Sequence, residues 1–220
     1  MTVSGCKESA ETTLSIASTL VPNGLVDLLL VDGTTTVIED ESHHKATDRL
    51  TNSRNDALKP PSWVLHSTSA KFTGPLPQRV LIETTFWYDQ SLLRKFGGSS
   101  SRTMTWLSRV VELAKPRLAE PSLNVKMDLK IESVKQSPLT LKADTTNIEK
   151  IAVMNLNPNY INSYFCHDSA RGVIGIAYVG TACNRNGFAV NINEYYTDRN
   201  SELNSARTFV HELGHNLGML

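Results

Sequence analysis

A chain of 220 residues is long enough for one large domain or two small ones. Its 22 basic and 22 acidic side chains cancel, and this balance gives no indication of a nucleic-acid or anionic-membrane partner. No window of the sequence approaches the ~18 apolar residues of a membrane span, and the polar N-terminus has no signal-peptide apolar core.

The N-terminal part of the chain predicts short strands joined by turns. An apolar run at residues 25–31 meets a turn signal at residues 32–33, and β-branched side chains follow at residues 34–38, so we expect a hairpin there. The neighbouring His43 and His44 could be read as metal ligands. Adjacent side chains point in different directions on a helix or a strand, so a pair in an exposed loop is the favoured interpretation.

Residues 45–78 are polar, contain two proline-bearing stretches and predict a linker. We therefore divide the chain into an N-terminal segment of residues 1–77 and a larger domain of residues 78–220. The larger domain opens on residues 79–88, whose β-branched and aromatic side chains predict a strand.

Helices and strands then alternate along the larger domain. A helix should open near Ser101, and Pro116 should kink or end it. Residues 124–132 alternate apolar and charged side chains, which predicts a half-buried strand. Residues 145–165 predict a second helix, interrupted by Pro158. The apolar face expected for the first helix comprises Met104, Leu107, Val110, Val111, Ala114 and Leu118.

The apolar run at residues 173–179 predicts a further strand. An exposed backbone edge on this strand could pair with an extended peptide. The alternative is an interior strand with no free edge, and the pattern of side chains leaves both interpretations open.

The end of the chain carries the pattern His-Glu-x-x-His. His211 and His215 are four positions apart, so on a helix they project from one face and can bind one Zn²⁺ at ~2.0–2.1 Å each. Glu212 can then take a proton from a zinc-activated water, as hydrolases with this motif require. The plainer alternative is a helix that happens to carry two histidines.

The same segment has the signals of a helix with defined ends. Asn200 or Ser201 is suited to its N-cap, and Gly218 is suited to a left-handed turn after its last residue. The side chains expected to bury one face are Leu203, Ala206, Phe209, Val210 and Leu213.

Residues 211–219, HELGHNLGM, resemble the active-site helix of the metzincin zinc endopeptidases, in particular the reprolysin (adamalysin, ADAM) family. Residues 172–183 resemble that family's substrate-binding edge strand and the cysteine after it, and residues 24–44 loosely resemble the end of a reprolysin propeptide. The resemblance implies an α/β fold with a twisted, mixed but mainly parallel sheet. The active-site helix should lie beneath an edge strand, and a β-rich propeptide remnant should precede this catalytic domain.

This resemblance also implies a function, namely zinc-dependent hydrolysis of peptide bonds in extracellular proteins. His211 and His215 would hold the Zn²⁺ cofactor, and Glu212 would be the general base. The expected partners are protein or peptide substrates, and the expected location is secreted or extracellular. The backbone expected to hold the substrate comprises Gly175, Ile176, Ala177, Tyr178 and Val179.

Two further family positions can be assigned by the same resemblance. His167 and Asp168 resemble the start of the family's HDxA sequence, in which the histidine is structural; a zinc ligand is the alternative for His167. The family cysteine that matches Cys183 pairs with a cysteine beyond the active-site helix. An odd number of cysteines (Cys6, Cys166 and Cys183) cannot all pair within one chain, so we expect a partner outside it.

The sequence also departs from the family pattern. The third histidine of the longer motif would be residue 221, so we expect a truncated fragment with little or no activity. No cysteine lies between His44 and Arg79, although the family usually places a zinc-blocking cysteine in its propeptide. The alternative, from a different functional class, is a catalytically incomplete module that binds peptides or proteins without cleaving them.

Overall fold

The computed structural model describes residues 2–3, 56–61, 79–120, 126–167, 173–182, 186–197 and 200–219. Within these ranges the strands are β1 (Thr2–Val3), β2 (Ala57–Leu58), β3 (Arg79–Tyr88), β4 (Lys126–Gln136), β5 (Ile161–Cys166), β6 (Gly175–Tyr178) and β7 (Val190–Glu194). The helices are α1 (Gln90–Lys95), α2 (Ser100–Leu118), α3 (Thr145–Met154) and α4 (Ser201–Asn216).

One sheet contains all the strands of the described residues, in the order β1-β3-β5-β7-β6-β2, and β4 also pairs with β3. Every pair is parallel except β6 with β7. This arrangement confirms the expected α/β fold with a mixed, mainly parallel sheet. The domain boundary near residue 78 stays a prediction.

Apolar side chains cover both faces of the sheet, because successive residues of a strand point to opposite faces. Phe86 of β3 and Phe165 of β5 belong to a first core, which is packed under α2 and α4. Their chain neighbours Trp87 and Tyr164 belong to a second core, which includes residues of α3. Helices therefore lie on both faces, as mainly parallel sheets require.

The predicted second helix at residues 145–165 is wrong in its second half. The helix α3 ends at Met154, where Asn155 adopts a left-handed conformation with φ of 42°. The following residues form the fully buried strand β5, which pairs with both β3 and β7. A central position in the sheet therefore outweighs the local helical pattern.

The buried face of α2 differs from the predicted one at two apolar side chains. Met104 is 42% exposed, and Trp106 is buried in the first core instead. The other five predicted side chains are buried as expected. Pro116 lies in the last turn, and the helix ends two residues later at Leu118.

The remaining predicted elements differ at their ends or lie outside the described residues. The strand β3 has the predicted bounds, whereas β4 extends to Gln136 rather than ending at residue 132. The expected hairpin at residues 25–38, the pair His43 and His44, and Cys6 all lie outside the described residues. Among the helices that the structure describes, none has the length and apolar character needed to cross a membrane.

Candidate metal centre

The helix α4 places two imidazoles side by side at the edge of the first core. Ala206, Phe209 and Leu213 are buried in that core, as their helical spacing predicted. His211 and His215 then project together from another side of the helix, with their Nε2 atoms 3.0 Å apart. Two imidazole nitrogens this close can bind the same ion, since each needs to approach it to only ~2.0–2.1 Å.

The end of α4 fixes the orientation of the second imidazole. Gly218 has the predicted left-handed conformation, with φ of 95°, and its N–H donates to the His215 carbonyl at 2.9 Å. The N–H of Met219 donates to the Gly214 carbonyl at 2.9 Å, which completes a Schellman motif. The Met219 carbonyl then accepts a hydrogen bond from His215 Nδ1 at 2.9 Å. A carbonyl only accepts, so Nδ1 carries the proton and the lone pair of Nε2 is left for a metal.

A third possible ligand comes from the N-terminal part of the chain, just before β2. Asp56 Oδ2 lies 3.2 Å from His211 Nε2, and Asp56 Oδ1 lies 3.7 Å from His215 Nε2. Within the described ranges, Asp56, His211 and His215 form a group whose ligand atoms all lie within 4.8 Å of one another. No pattern in the sequence indicates this contact, because a single aspartate in a polar segment has no ligand spacing.

The carboxyl group of Glu212 lies against the strand β6. A Cβ atom added at Gly175 would overlap Glu212 Oε1, so the glycine provides the space that this carboxyl group occupies. Glu212 is 1% exposed. Burial raises the pKa of its carboxyl well above the usual value, and the negative charge of Asp56 raises it further. A general base that works near neutral pH needs such an upward shift.

The end of α4 also holds β6 in place. The N–H groups of Gly180 and Ala182, just after β6, donate to the His215 and Asn216 carbonyls at 2.8 Å each. The side-chain amide of Asn216 donates to the Tyr178 carbonyl at 2.9 Å. These bonds fix the predicted substrate strand, Gly175 to Val179, beside the two histidines.

The outer edge of β6 is not free. The strand β2 runs parallel to it, and Ala177 and Val179 donate their N–H groups to the Asp56 and Leu58 carbonyls at 2.9 Å each. The segment predicted as a linker therefore contains a strand that contacts the candidate site.

Other predicted residues lie elsewhere. His167 follows β5, and its ring packs edge-on against Tyr195, with centroids 5.2 Å apart. It is not part of the group of possible metal ligands formed by the described residues, and its structural role stays a prediction. Cys183 lies outside the described residues, and Cys166 is buried at the end of β5.

The residues present fit a zinc ion. Two imidazoles and one carboxylate form a donor set that Zn²⁺ commonly takes. Glu212 Oε2 is buried and has no hydrogen-bond partner among the described residues, although buried carboxylate oxygens are normally paired. An oxygen in this position can contact a water or a substrate group next to a metal.

Comparison with known proteins is consistent with this site. The reprolysin-like family of metallopeptidases, M12B, matches residues 119–219, a range that includes both histidines and Glu212. The chain is 24% identical over 189 residues to snake venom metalloproteinase H5 from Deinagkistrodon acutus; the match covers 82% of this chain and 45% of that protein. A chain from the structure of a chaperone–substrate complex aligns with a TM-score of 0.48 at 16% identity, over 64% of this chain and 24% of its own length.

Proposed function

We propose that this chain is a zinc-dependent endopeptidase, because its residues 119–219 match the reprolysin-like metallopeptidases of family M12B. The observation that carries the proposal is the 3.0 Å separation of His211 Nε2 and His215 Nε2 beside the buried carboxyl group of Glu212. The proposed substrates are extracellular proteins or peptides, as the resemblance to a venom metalloproteinase suggests.

His211 and His215 would hold the metal in this mechanism. A bound Zn²⁺ supplies Lewis acidity, which polarises a peptide carbonyl and brings the pKa of a water to about 7. Glu212 takes one proton from the attacking water and passes it to the nitrogen of the leaving amine as the peptide C–N bond breaks. The hydrogen bond from His215 Nδ1 to the Met219 carbonyl keeps this imidazole oriented throughout.

The substrate would lie along β6. Backbone groups of an edge strand can pair with an extended peptide and hold it beside the metal. Gly175 is adjacent to Glu212, so a peptide bond held at this end of β6 would lie close to the general base. We expect low activity from residues 1–220 themselves, because β2 already pairs with β6.

A second function is favoured by one observation. In the described residues, the third side chain of the ligand group is an aspartate from the N-terminal segment. A metal site completed in this way could bind a peptide or protein without hydrolysing it. Zinc content and turnover, measured on the same preparation, separate this binding module from the enzyme.

The proposal is tested with Glu212→Gln and His215→Ala, and with Glu120→Gln as a matched control at an exposed position. Glu212→Gln should keep zinc and lower the cleavage of a quenched-fluorescent peptide library by at least about 10²-fold, because an amide cannot accept the proton. His215→Ala should lose zinc as well, and Glu120→Gln should match the unmodified chain. Undiminished turnover by Glu212→Gln would contradict the mechanism, and zinc binding without any turnover would favour the binding module.

A further inference from the structure

The strand β4 forms one edge of the described sheet. Leu81 and Ile82 of β3 pair with β1 as well as with β4, and Thr84 to Tyr88 pair with β5 as well as with β4. A strand residue has only two sides, so β1 and β5 share one side of β3 and β4 lies on the other. Among the described residues, β4 pairs with β3 alone, which leaves the outer edge of this 11-residue strand without a partner strand.

Charged side chains of alternating sign follow this edge. Successive side chains of a strand point to opposite faces, so Lys126, Asp128 and Lys130 share one face of β4. Glu132 lies with them, because its carboxylate forms an ion pair with Lys130. The side chains of Lys126 and Lys130 are 54% and 53% exposed. This face of β4 therefore carries positive, negative, positive and negative charges in that order along the strand.

We propose that the outer edge of β4 binds the same edge of a second copy of this chain. The two β4 strands pair in antiparallel orientation about a twofold axis at Leu129. In this register Lys126 of each copy lies opposite Glu132 of the other copy, and Asp128 lies opposite Lys130. Every one of these side chains meets an opposite charge, and cross-strand pairs of opposite charge stabilise a sheet. A twofold contact uses both outer edges at once, so the assembly closes as a dimer.

The order of the charges favours this register over its neighbours. With the axis at Asp128, Lys126 would lie opposite Lys130, and with the axis at Lys130, Asp128 would lie opposite Glu132. Like charges directly opposite each other destabilise a sheet. With the axis between Leu129 and Lys130, these two residues would lie opposite each other, and each face of the joined sheet would mix apolar and charged side chains.

The other face of β4 supplies apolar contacts to the same dimer. Leu129 is buried in the first core, and Met127 and Ile131 are partly buried side chains packed against it. In the proposed register Met127 lies opposite Ile131 of the second copy, and the two Leu129 side chains meet at the axis. Pairing therefore removes from water part of the apolar surface that Met127 and Ile131 still expose.

A β-bulge marks the end of the proposed pairing. Thr84 lies opposite Ile131 and Thr85 lies opposite Ser133, so Glu132 is an extra residue in β4. A bulge disrupts the regular ladder, which limits continuous pairing with the second copy to residues 126–132. Three strands, β3, β5 and β7, separate β4 from β6. The dimer therefore does not involve the candidate metal centre, and the inference does not depend on the proposed function.

Two single charge reversals, alone and mixed, test the dimer in the full chain. We expect the unmodified chain to dimerise at micromolar concentration, measured by sedimentation equilibrium in reducing buffer so that no disulfide links two copies. Glu132→Lys and Lys126→Glu each place like charges opposite each other at both ends of the interface, so each should raise the dissociation constant by at least about 10-fold. An equal mixture of the two variants should recover the original constant, because their heterodimer again has lysine opposite glutamate at both ends.

The matched controls carry the same changes of charge on another element. Glu149→Lys and Lys150→Glu, at exposed positions of α3, should leave the dissociation constant unchanged. The double variant Lys126→Glu/Glu132→Lys exchanges the two charges within one chain and should dimerise like the unmodified chain. Circular dichroism checks that each variant is folded. A monomeric unmodified chain would overturn the inference and show that the charges protect the edge from pairing. A dimer that both reversals leave intact, or a mixture that stays monomeric, would overturn it as well.

Hydrogen exchange shows whether β4 is the strand that forms the contact. Backbone amides of residues 126–132 that face the outer edge should exchange at least about 10-fold more slowly in concentrated than in dilute solution, because pairing protects them. The amides of Ala177 and Val179, which already donate to carbonyls within the chain, should exchange at the same rate in both solutions. A dimer whose β4 amides exchange equally at both concentrations would use another surface, and this result would overturn the inference.

Discussion

Asn216 connects the metal-binding end of α4 to two strands through one side chain. It is completely buried, and its Nδ2 donates to the Tyr178 carbonyl at 2.9 Å and to the Val190 carbonyl at 3.0 Å. Its Oδ1 accepts a hydrogen bond from Asn191 Nδ2 at 2.7 Å. The position of β6 relative to His215 therefore depends on this amide.

Replacement of Asn216 by alanine should be strongly destabilising. The change leaves buried polar groups of Tyr178, Val190 and Asn191 without this partner, so we expect the free energy of unfolding to fall by about 3 kcal/mol. Urea denaturation followed by circular dichroism measures the effect. Asn159→Ala, at an exposed position, is the matched control and should change stability by no more than about 0.5 kcal/mol. Similar values for the two variants would show that the buried amide is not essential to the fold.

The individual residues of the candidate site differ in how far the sequence predicts them. His211, Glu212 and His215 lie on one helix, so their spacing alone brings them to one site. Asp56 is 155 positions from His211, and only the pairing of β2 with β6 brings the two together. Local spacing carries no information about such a contact, because it depends on which distant segment covers the edge of the sheet.

Among the elements, α2 shows that one pattern of apolar residues can be consistent with two different buried faces of a helix. Met104 and Trp106 are both apolar and only two positions apart, so rotation of the helix decides which one is buried. The structure buries Trp106, whose ring lies 5.2 Å from Tyr195, 5.8 Å from Phe96 and 6.0 Å from Phe165 between centroids. This aromatic cluster comes from three other parts of the chain, which the local pattern does not include.

The two side chains should therefore differ in their effect on stability. Trp106→Ala removes a buried indole and should lower the free energy of unfolding by about 3–5 kcal/mol. Met104→Ala, on the exposed side of the same helix, should lower it by no more than about 0.5 kcal/mol. Thermal or urea unfolding of both variants measures the difference. Comparable losses would mean that the helix faces the core as the sequence alone suggested.

The strands were predicted best where their composition is unambiguous. β3 is rich in β-branched and aromatic residues and has the predicted bounds Arg79–Tyr88. β5 was missed because the residues before it form a true helix, α3, and its own sequence, INSYFC, has no clear alternation. Its strand conformation depends on pairing with β3 and β7, which are distant in sequence.

At the scale of the whole molecule, the sequence predicts the fold class. It does not predict that β2 covers the edge of β6 beside the candidate site. Alternating strands and helices indicate a layered α/β fold, and the sheet with helices on both faces confirms this. The polar, proline-containing composition of residues 45–78 predicts a linker, and residues 56–61 lie within it. Its place in the sheet depends on the backbone N–H groups along the outer edge of β6, to which its carbonyls bind. That edge exists only in the assembled fold.

The ligand group joins the two ends of this fold, so metal should stabilise the whole molecule. Asp56 precedes β2 and the histidines lie on α4, and an ion bound by all of them links the N-terminal segment to the last helix. Zinc at 100 times its dissociation constant should raise the free energy of unfolding by about 2.7 kcal/mol relative to protein in chelator. Urea unfolding in the two buffers measures this difference. This stabilisation by zinc should be absent in His215→Ala and retained in Lys59→Ala, a variant at an exposed position. Identical unfolding of the unmodified chain in zinc and in chelator would contradict a metal site in this fold.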